Sequence, residues 1–374
     1  MNGNRPLYSD EPVRRILLAA FSFDIPGGMA VQASRLLARL EQEPSIKVAF
    51  LPVNPRLPGA WRRLQTVKYL RTLATTALYF MTMIAHARSC DVIHVFTASH
   101  SSFLLVSWPA IVAGKLFGKK IILNYHGGRA RDHLERSPLA SRRTISFADL
   151  LVVPSQYLVE IFADFGLRAR AVPNFIESEC FQFRERRPLR PVFLSTRHLE
   201  PHYNVACILR AFSVIQARIP SARLIIAGQG SQREELALLA RTLNLHNVEF
   251  IGQQNHEEMR RLYGLADILL NSSEIDNQPL SIIEAFASGM PVIATRTGGV
   301  PYLIKDKETG LLVEKGDHLA MARAAMELLE DDELALGIAR NALRESRGFN
   351  WSRVRGKWLD IYGGLMGTVE CCEK

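Results

Sequence analysis

The stretch from Asn271 to Tyr302, NSSEIDNQPLSIIEAFASGMPVIATRTGGVPY, leaves this chain few folds to choose from. A polar loop runs through Pro279 into the apolar, helix-forming run Ile282 to Ala287, which Gly289 and Pro291 stop. Pro-Val-Ile-Ala-Thr then reads as a short buried strand ending in the paired turn Gly298-Gly299. Helix and strand this close together belong to an α/β alternation. Two acids flank the helix start: Asp276 and Glu284 are eight apart, which puts one on the loop and the other in the first turn of the helix. Ser281 and Glu284 also fit a Ser-x-x-Glu capping box, in which each side chain satisfies a free amide. A helix start offers unpaired N–H groups and partial positive charge, which suits a diphosphate, while carboxylates beside it suit sugar hydroxyls.

The same alternation runs through the rest of the chain. Arg14 to Phe21 is a short apolar run, and Pro26-Gly27-Gly28 follows before the apolar-periodic segment Val31 to Leu40, the opening of a βαβ unit. The paired glycines permit either a close approach of backbone to a ligand or a simple tight turn. DVIHVF, from Asp91, is strand-like, with His94 alternating with apolar neighbours as a core or edge residue. Lys120 to Tyr125 is another buried strand, and His126-Gly127-Gly128 closes it. Ligands of open α/β sheets bind beyond the carboxyl ends of strands, so His126 is placed for chemistry as His94 is not. Arg129, Arg131 and His133, just after, suit an anionic acceptor. DLLVVP, from Asp149, is a further strand, followed by Ser155 and an amphipathic helix to Phe165. Pro188 and Pro191 in the basic run RERRPLRP fit the end of a linker, and VFLST, from Val192, opens a second series of strands. That series continues through Arg223 to Ala227, the turn Gly228-Gln229-Gly230, Val248 to Gly252, and Gly310-Leu-Leu-Val with a helix to Leu329. Gly228-Gln229-Gly230 lacks the third glycine of a dinucleotide fingerprint.

A chain of 374 residues favours two or three compact units, and 48% hydrophobic residues supply their cores. Cys90, Cys180, Cys207, Cys371 and Cys372 show no metal spacing, and an odd, scattered set predicts a reducing compartment, hence the cytoplasm. The polar first residues hold no secretory signal core. Positive charge is concentrated in residues 1–172, with 22 Lys and Arg against 11 Asp and Glu; the remainder has 24 against 26. That excess predicts an anionic partner, such as a lipid surface or a phosphorylated acceptor. No zinc-finger spacing, RNA-binding aromatic motif or compact basic run accompanies it, which argues against nucleic acid. Within this half, residues 61–88 join Arg62, Arg63, Lys68 and Arg71 to a charge-free stretch too short and weak for a membrane span. It reads either as a helix packed on the sheet or as one lying on a bilayer.

Taken together, the acid-x7-acid pair and the PVIATRTGGVP run resemble the retaining glycosyltransferases of family 4, which have the GT-B fold. The resemblance implies two doubly wound, Rossmann-like α/β domains facing a central cleft: an acceptor domain over 1–172, a linker over 173–191, a nucleotide-sugar domain over 192–345 and a closing helix over 346–374. AVPNFI, from Ala171, is similar to the family's V-P-N-G-I-D crossover, and Phe349 to Tyr362 to its closing helix. In the family the first acid lies by the donor sugar and the second binds the ribose, roles that fall on Asp276 and Glu284. A histidine at the strand end, here His126, contacts the donor sugar, and the glycine loop, here Gly27 and Gly28, faces the cleft. Arg197 matches the arginine on the donor diphosphate. Its partner lysine is missing, and His202, Tyr203 and Asn204 occupy that place, so His202 inherits the position. Gly228, Gln253, Leu280 and Ser281 complete the implied nucleotide contacts.

Two further departures stand out: the first acid is usually Glu, and the acid that often follows the GG-x-P turn is Tyr302. The implied reaction moves a hexosyl group from a UDP- or GDP-sugar to a glycan or lipid-linked acceptor, in polysaccharide or glycolipid synthesis. No Asp-x-Asp motif or His/Cys cluster is present, so no metal and no other cofactor is expected, and Arg197 with helix dipoles neutralises the leaving diphosphate. A nucleotide-sugar epimerase of the same architecture and a catalytically silent partner in polysaccharide assembly are the alternatives. The basic first half adds the expectation of peripheral binding to an anionic membrane surface on its cytoplasmic side.

Overall fold

The computed structural model describes residues 13–24, 27–57 and 68–366. Pro26, Arg62, Arg63, Cys371 and Cys372 of the expectations above lie outside them. The chain divides into two compact units. The first takes the described residues through Val152, then Phe165–Arg170 and the chain from Trp358; the second takes Val153–Asp164 and Ala171–Lys357.

In the first series, strands and helices follow as β1 (Arg14–Ala20), α1 (Gly28–Leu40), β2 (Ile46–Pro52), α2 (Lys68–Ala87), β3 (Val92–Thr97), α3 (Ser101–Leu116), β4 (Lys120–Tyr125), α4 (Ala130–Arg136), α5 (Pro138–Ser146), β5 (Leu150–Val153), α6 (Gln156–Asp164) and β6 (Arg170–Ala171). The sheet runs β2-β1-β3-β4-β5-β6. Every residue of β3 is buried, as a strand covered on both faces requires. α2 packs its inner residues Tyr79 and Met83 into the core, while Leu73 and Met81 stay 70% and 61% exposed. The described part of this segment is thus a helix packed on the first unit, with its outer side exposed.

Beyond the crossover the order is β7 (Val192–Ser195), α7 (Val205–Arg218), β8 (Arg223–Ala227), α8 (Arg233–Thr242), β9 (Val248–Gly252), α9 (His256–Leu265), β10 (Ile268–Asn271), α10 (Leu280–Ala287), β11 (Val292–Thr295), β12 (Leu311–Val313), α11 (His318–Glu330), α12 (Asp332–Ser346) and α13 (Trp351–Leu365). The second sheet runs β12-β11-β10-β7-β8-β9. Its paired strands are parallel, with Leu269 of β10 beside Leu194 of β7. Two doubly wound parallel sheets are what the alternation predicts. Chain order reverses between β1 and β3 in the first sheet and between β7 and β10 in the second, and at such a reversal the loops above neighbouring strands splay apart and open a crevice.

The basic run 184–190 is fastened to the second unit. Arg184, Arg186 and Arg190 all pair with Asp267, which is 1% exposed. Arg186, itself buried, also donates to the carbonyls of Ala266, Ser288 and Tyr263. Burial pushes the Asp267 carboxyl up, but the hydrogen bonds from Arg190 and Arg184 outweigh it and hold the group below the usual range.

Candidate active site

In the second unit, the residues that follow β7 and β10 meet at the reversal of strand order. Arg197, two residues past β7, reaches Asp276, five past β10, with Nη2 and Oδ2 2.7 Å apart and both side chains nearly buried. The guanidinium also lies over the Tyr203 ring, 4.2 Å from its centroid, and the His202 ring is 4.1 Å from that of Tyr203. The ion pair is close yet not aligned as a hydrogen bond, and both Asp276 Oδ2 and Arg197 Nε are buried without one. Asp276 spends its other oxygen on the backbone N–H of Asn277. Arg197 therefore keeps donors to offer, from a charge already fixed by an acid on one side and a ring below.

The glycines of this region make that geometry possible. A Cβ on Gly228 would stand 2.3 Å from the carbonyl oxygen of Arg197, and one on Gly230 2.2 Å from that of Leu199. The turn after β8 thus seats the Arg197 loop by backbone contact. Gly299 has the same relation to the acid loop, where a Cβ would fall 1.8 Å from the Asn277 carbonyl oxygen. Gly298, with φ of +49°, takes a left-handed conformation besides, and the Gly299 amide donates to the Asp276 carbonyl at 3.1 Å. Two side chains that sequence reasoning missed finish the loop: Asn277 accepts from Ser155 Oγ at 2.6 Å, and Gln278 accepts from the Asn174 amide at 2.6 Å.

α10 begins at Leu280 with Pro279 as its cap, and the expected capping box does not form. Pro279 starts the helix one residue before Ser281, which becomes its second residue and buries an Oγ that makes no hydrogen bond. Glu284 then falls on the fifth residue, the proline cap has no N–H to offer it, and it accepts from Tyr263 Oη at 3.1 Å instead. Tyr263 is fully buried on α9, and burial together with the Glu284 charge raises its phenol well above the usual range, so it stays a donor. In sequence, the Leu-Tyr-Gly-Leu of α9 has the pattern of ordinary core, and no local signal marks Tyr263. A true box forms one helix earlier, between Asn255 and Glu258 ahead of α9. α7 likewise starts without a side-chain cap: Asn204 turns its amide to Glu274 at 3.1 Å. Two helices without a side-chain cap thus begin shortly after Arg197 and Asp276 in the chain, α7 at Val205 and α10 at Leu280. Gln253 stands apart from this group, exposed after β9, two strands from β7. Tyr302 donates to Glu160 on α6.

The first unit carries the remaining candidates. His126 follows β4, its backbone N–H on the Thr97 carbonyl and its ring stacked on Phe96 at 5.0 Å. Burial pushes its imidazolium down to about 3, so it works as a neutral ring, and Nε2 is buried without a hydrogen bond. His94 is a core residue, as its alternation suggests, held between Tyr362 Oη at 2.8 Å and Asn124 Nδ2 at 3.1 Å. His133 does not reach out to an acceptor. It is buried between Tyr125 Oη and Ser141 Oγ, because the short helix α4 turns this side inward. Gly27 and Gly28 lie where α1 begins, and no described atom comes within 4 Å of a Cβ on Gly27. Among the described residues no group of three or more His, Cys, Asp and Glu side chains is arranged to hold a metal ion.

This arrangement has relatives. The family described as "Glycosyl transferases group 1" matches residues 178–345, and "Glycosyltransferase Family 4" matches residues 26–179. The chain belongs to the group 1/family 4 glycosyltransferases. It is 26% identical to N-acetyl-alpha-D-glucosaminyl L-malate synthase of Bacillus anthracis over 75% of this chain and 77% of that one. Against D-inositol 3-phosphate glycosyltransferase of Corynebacterium diphtheriae it is 31% identical over 45% of this chain, and the match spans only 41% of that protein. In structure this glycosyltransferase resembles sucrose-phosphate synthase from Thermosynechococcus elongatus, with a TM-score of 0.75 at 20% identity, covering 94% of this chain and 99% of that one. Anabaena HepE, solved with UDP, gives 0.74 at 17% identity over 94% and 100%. Its fold is the two-domain α/β GT-B fold.

Proposed function

We propose that this glycosyltransferase moves a hexosyl group from a UDP- or GDP-sugar to a hydroxyl of a glycan or lipid-linked acceptor, with retention at the anomeric carbon. The observation that carries the reading is the convergence of Arg197, Asp276, Glu284 and two uncapped helix starts at the β7/β10 reversal. Arg197 offers its fork to the diphosphate and the helix N–H groups complete the cradle. Glu284, oriented by Tyr263, takes the ribose hydroxyls, and Asp276 takes a hydroxyl of the sugar. As the bond from the anomeric carbon to the β-phosphate oxygen breaks, the acceptor oxygen bonds to the same face. The acceptor's proton passes to the departing phosphate. Arg197 stabilises the charge that develops there, which is why the reading needs no metal. His126 serves as a neutral hydrogen-bonding group in the first unit. UDP bound to HepE, and the sugar donors and acceptors implied by the relatives' names, support a nucleotide-sugar reaction of this class. The proposed setting is polysaccharide or glycolipid synthesis in the cytoplasm, beside the inner face of the membrane.

A screen of UDP- and GDP-sugars, each with and without glycan and polyisoprenyl-linked acceptors, tests the reading, with the anomer of the product read by NMR. Transfer that yields the donor's own anomeric configuration is expected. An inverted product would remove the retaining step, acceptor-independent isomerisation would make the protein an epimerase, and no donor binding at all would leave it a silent assembly partner.

A further inference from the structure

Helices α2, α3 and α5 of the first unit are neighbours, and none of the three contains an acidic residue. Tyr79 Oη of α2 donates to the Val106 carbonyl of α3 at 3.2 Å, and Trp108 of α3 packs against Phe147, at the end of α5, with ring centroids 5.7 Å apart. α3 is apolar on every side. Phe103, Ala110 and Ala113 are wholly buried against the sheet, yet its outward positions Leu105, Trp108, Val112 and Leu116, spaced three and four apart, are apolar as well and 38% to 64% exposed. On either side the stripe continues into Leu73 and Met81 of α2 and Leu139 of α5, the last 80% exposed. Arg71, Lys115, Arg142 and Arg143 stand exposed among them. Of the acids nearby, Asp91 and Asp149 at the adjoining strand ends pair with Arg15 and Lys120, Asp132 of α4 pairs with Arg136 and lies 3.2 Å from His100 ahead of α3, and Glu135 of α4 is exposed. An apolar face of this extent, on three helices that carry exposed cations and no acid of their own, is not ordinary protein surface.

We propose that this face docks on an anionic lipid surface, with the α3 stripe among the headgroups and Arg71, Lys115, Arg142 and Arg143 on lipid phosphates. The charge pattern selects the occupant. A second copy of the chain would bring one predominantly basic face against another, whereas an anionic bilayer answers both the apolar stripe and its cations. Among the described residues no helix is long and apolar enough to cross a membrane, so the layer lies on the surface. The inference rests on the first unit alone and stands whether or not the donor reading holds.

The test uses the full chain and vesicles of phosphatidylglycerol in phosphatidylcholine, against phosphatidylcholine alone, at low and high salt. Pelleting with the anionic vesicles at low salt is expected, falling about tenfold in high salt and in Lys115→Ser/Arg142→Ser/Arg143→Ser, because each basic side chain adds its own screened attraction. Trp108→Glu/Leu116→Glu is expected to lose binding too. All five substituted side chains are exposed, so circular dichroism of both variants is expected to match the wild type. Brominated acyl chains are expected to quench wild-type fluorescence and to lose that effect in Trp108→Phe. Absence of pelleting at low salt, or pelleting unchanged in both variants, overturns the proposal. So does a concentration-dependent dimer in sedimentation velocity that Trp108→Glu/Leu116→Glu abolishes, which would give the face to a second copy.

Discussion

In the proposed reading the site turns on Arg197, whose fixed charge would do alone the work that the family pattern shares with a lysine. Asp276 holds one end of the fork and Tyr203 lies beneath it, so the guanidinium has little orientation left to lose on binding a diphosphate as proposed. Replacing Tyr203 with Phe keeps the ring and is expected to leave donor affinity within about twofold. Tyr203→Leu removes a cation–π contact worth about 0.5–2 kcal/mol and is expected to raise the donor Kd roughly two- to thirtyfold in calorimetry. Equal affinities for the two variants would leave Tyr203 as a spacer. Tyr263 acts one step further back. Tyr263→Phe takes away the hydrogen bond to Glu284 and is expected to cost about 1 kcal/mol of urea stability together with a several-fold weaker donor, an effect that Glu284→Ala should mask in the double variant. Additive losses in that double variant would separate the tyrosine from the acid.

At the scale of elements, the glycine turns and the arginine run decide where the site can form. Gly299→Ala places a Cβ where the Asn277 carbonyl already is. The acid loop must move, so donor binding is expected to disappear along with about 1–3 kcal/mol of stability. Gly27→Ala meets no described atom within 4 Å and is expected to leave the unfolding midpoint unchanged, so any loss of activity there would report a ligand's close approach. The Asp267 clasp gives a sharper contrast. Asp267→Asn leaves Arg186 buried without its charge partner, for an expected loss of about 3–5 kcal/mol, while Arg187→Ala breaks only an exposed pair with Glu333 and is expected to cost under about 1 kcal/mol. Similar midpoints for the two variants would contradict the clasp. In sequence the strands, the paired-glycine turns and the presence of α10 were legible, since period and breaker residues report directly on local backbone. The capping box was misread because Pro279 moved the helix start. The clasp was invisible because it joins residues 184–190 to Asp267, a contact no local pattern encodes.

For the whole molecule the two doubly wound sheets were readable from the alternation, and the reversal of strand order then put Arg197 beside Asp276, which spacing alone did not foretell. The histidines show what sequence could only half tell: His94 reads as a core or edge residue and is buried in the core, yet nothing local marks His133 as buried. Burial pushes His94 and His126 down to about 3 and His133 to about 4, from an ordinary 6.5. Between pH 6.5 and 4 the unfolded chain binds protons that the folded chain refuses, so stability is complete above that window and is lost as pH falls through it. The slope is roughly 1.4 kcal/mol per pH unit for each such histidine. Urea midpoints at pH 7.5 and 5 are expected to show this loss, and His94→Gln should remove about one proton of it; midpoints unchanged by pH would contradict the buried neutral rings. The proposed transfer requires a donor held by Arg197 and Glu284, and titration calorimetry of UDP- and GDP-sugars measures that directly. Wild type is expected to bind one of them. Arg197→Ala and Glu284→Ala are each expected to weaken it by about tenfold to a hundredfold, the loss of a charge-assisted hydrogen bond, with His202→Ala the milder change at pH 7. Folded variants that bind the donor as tightly as wild type would contradict the site.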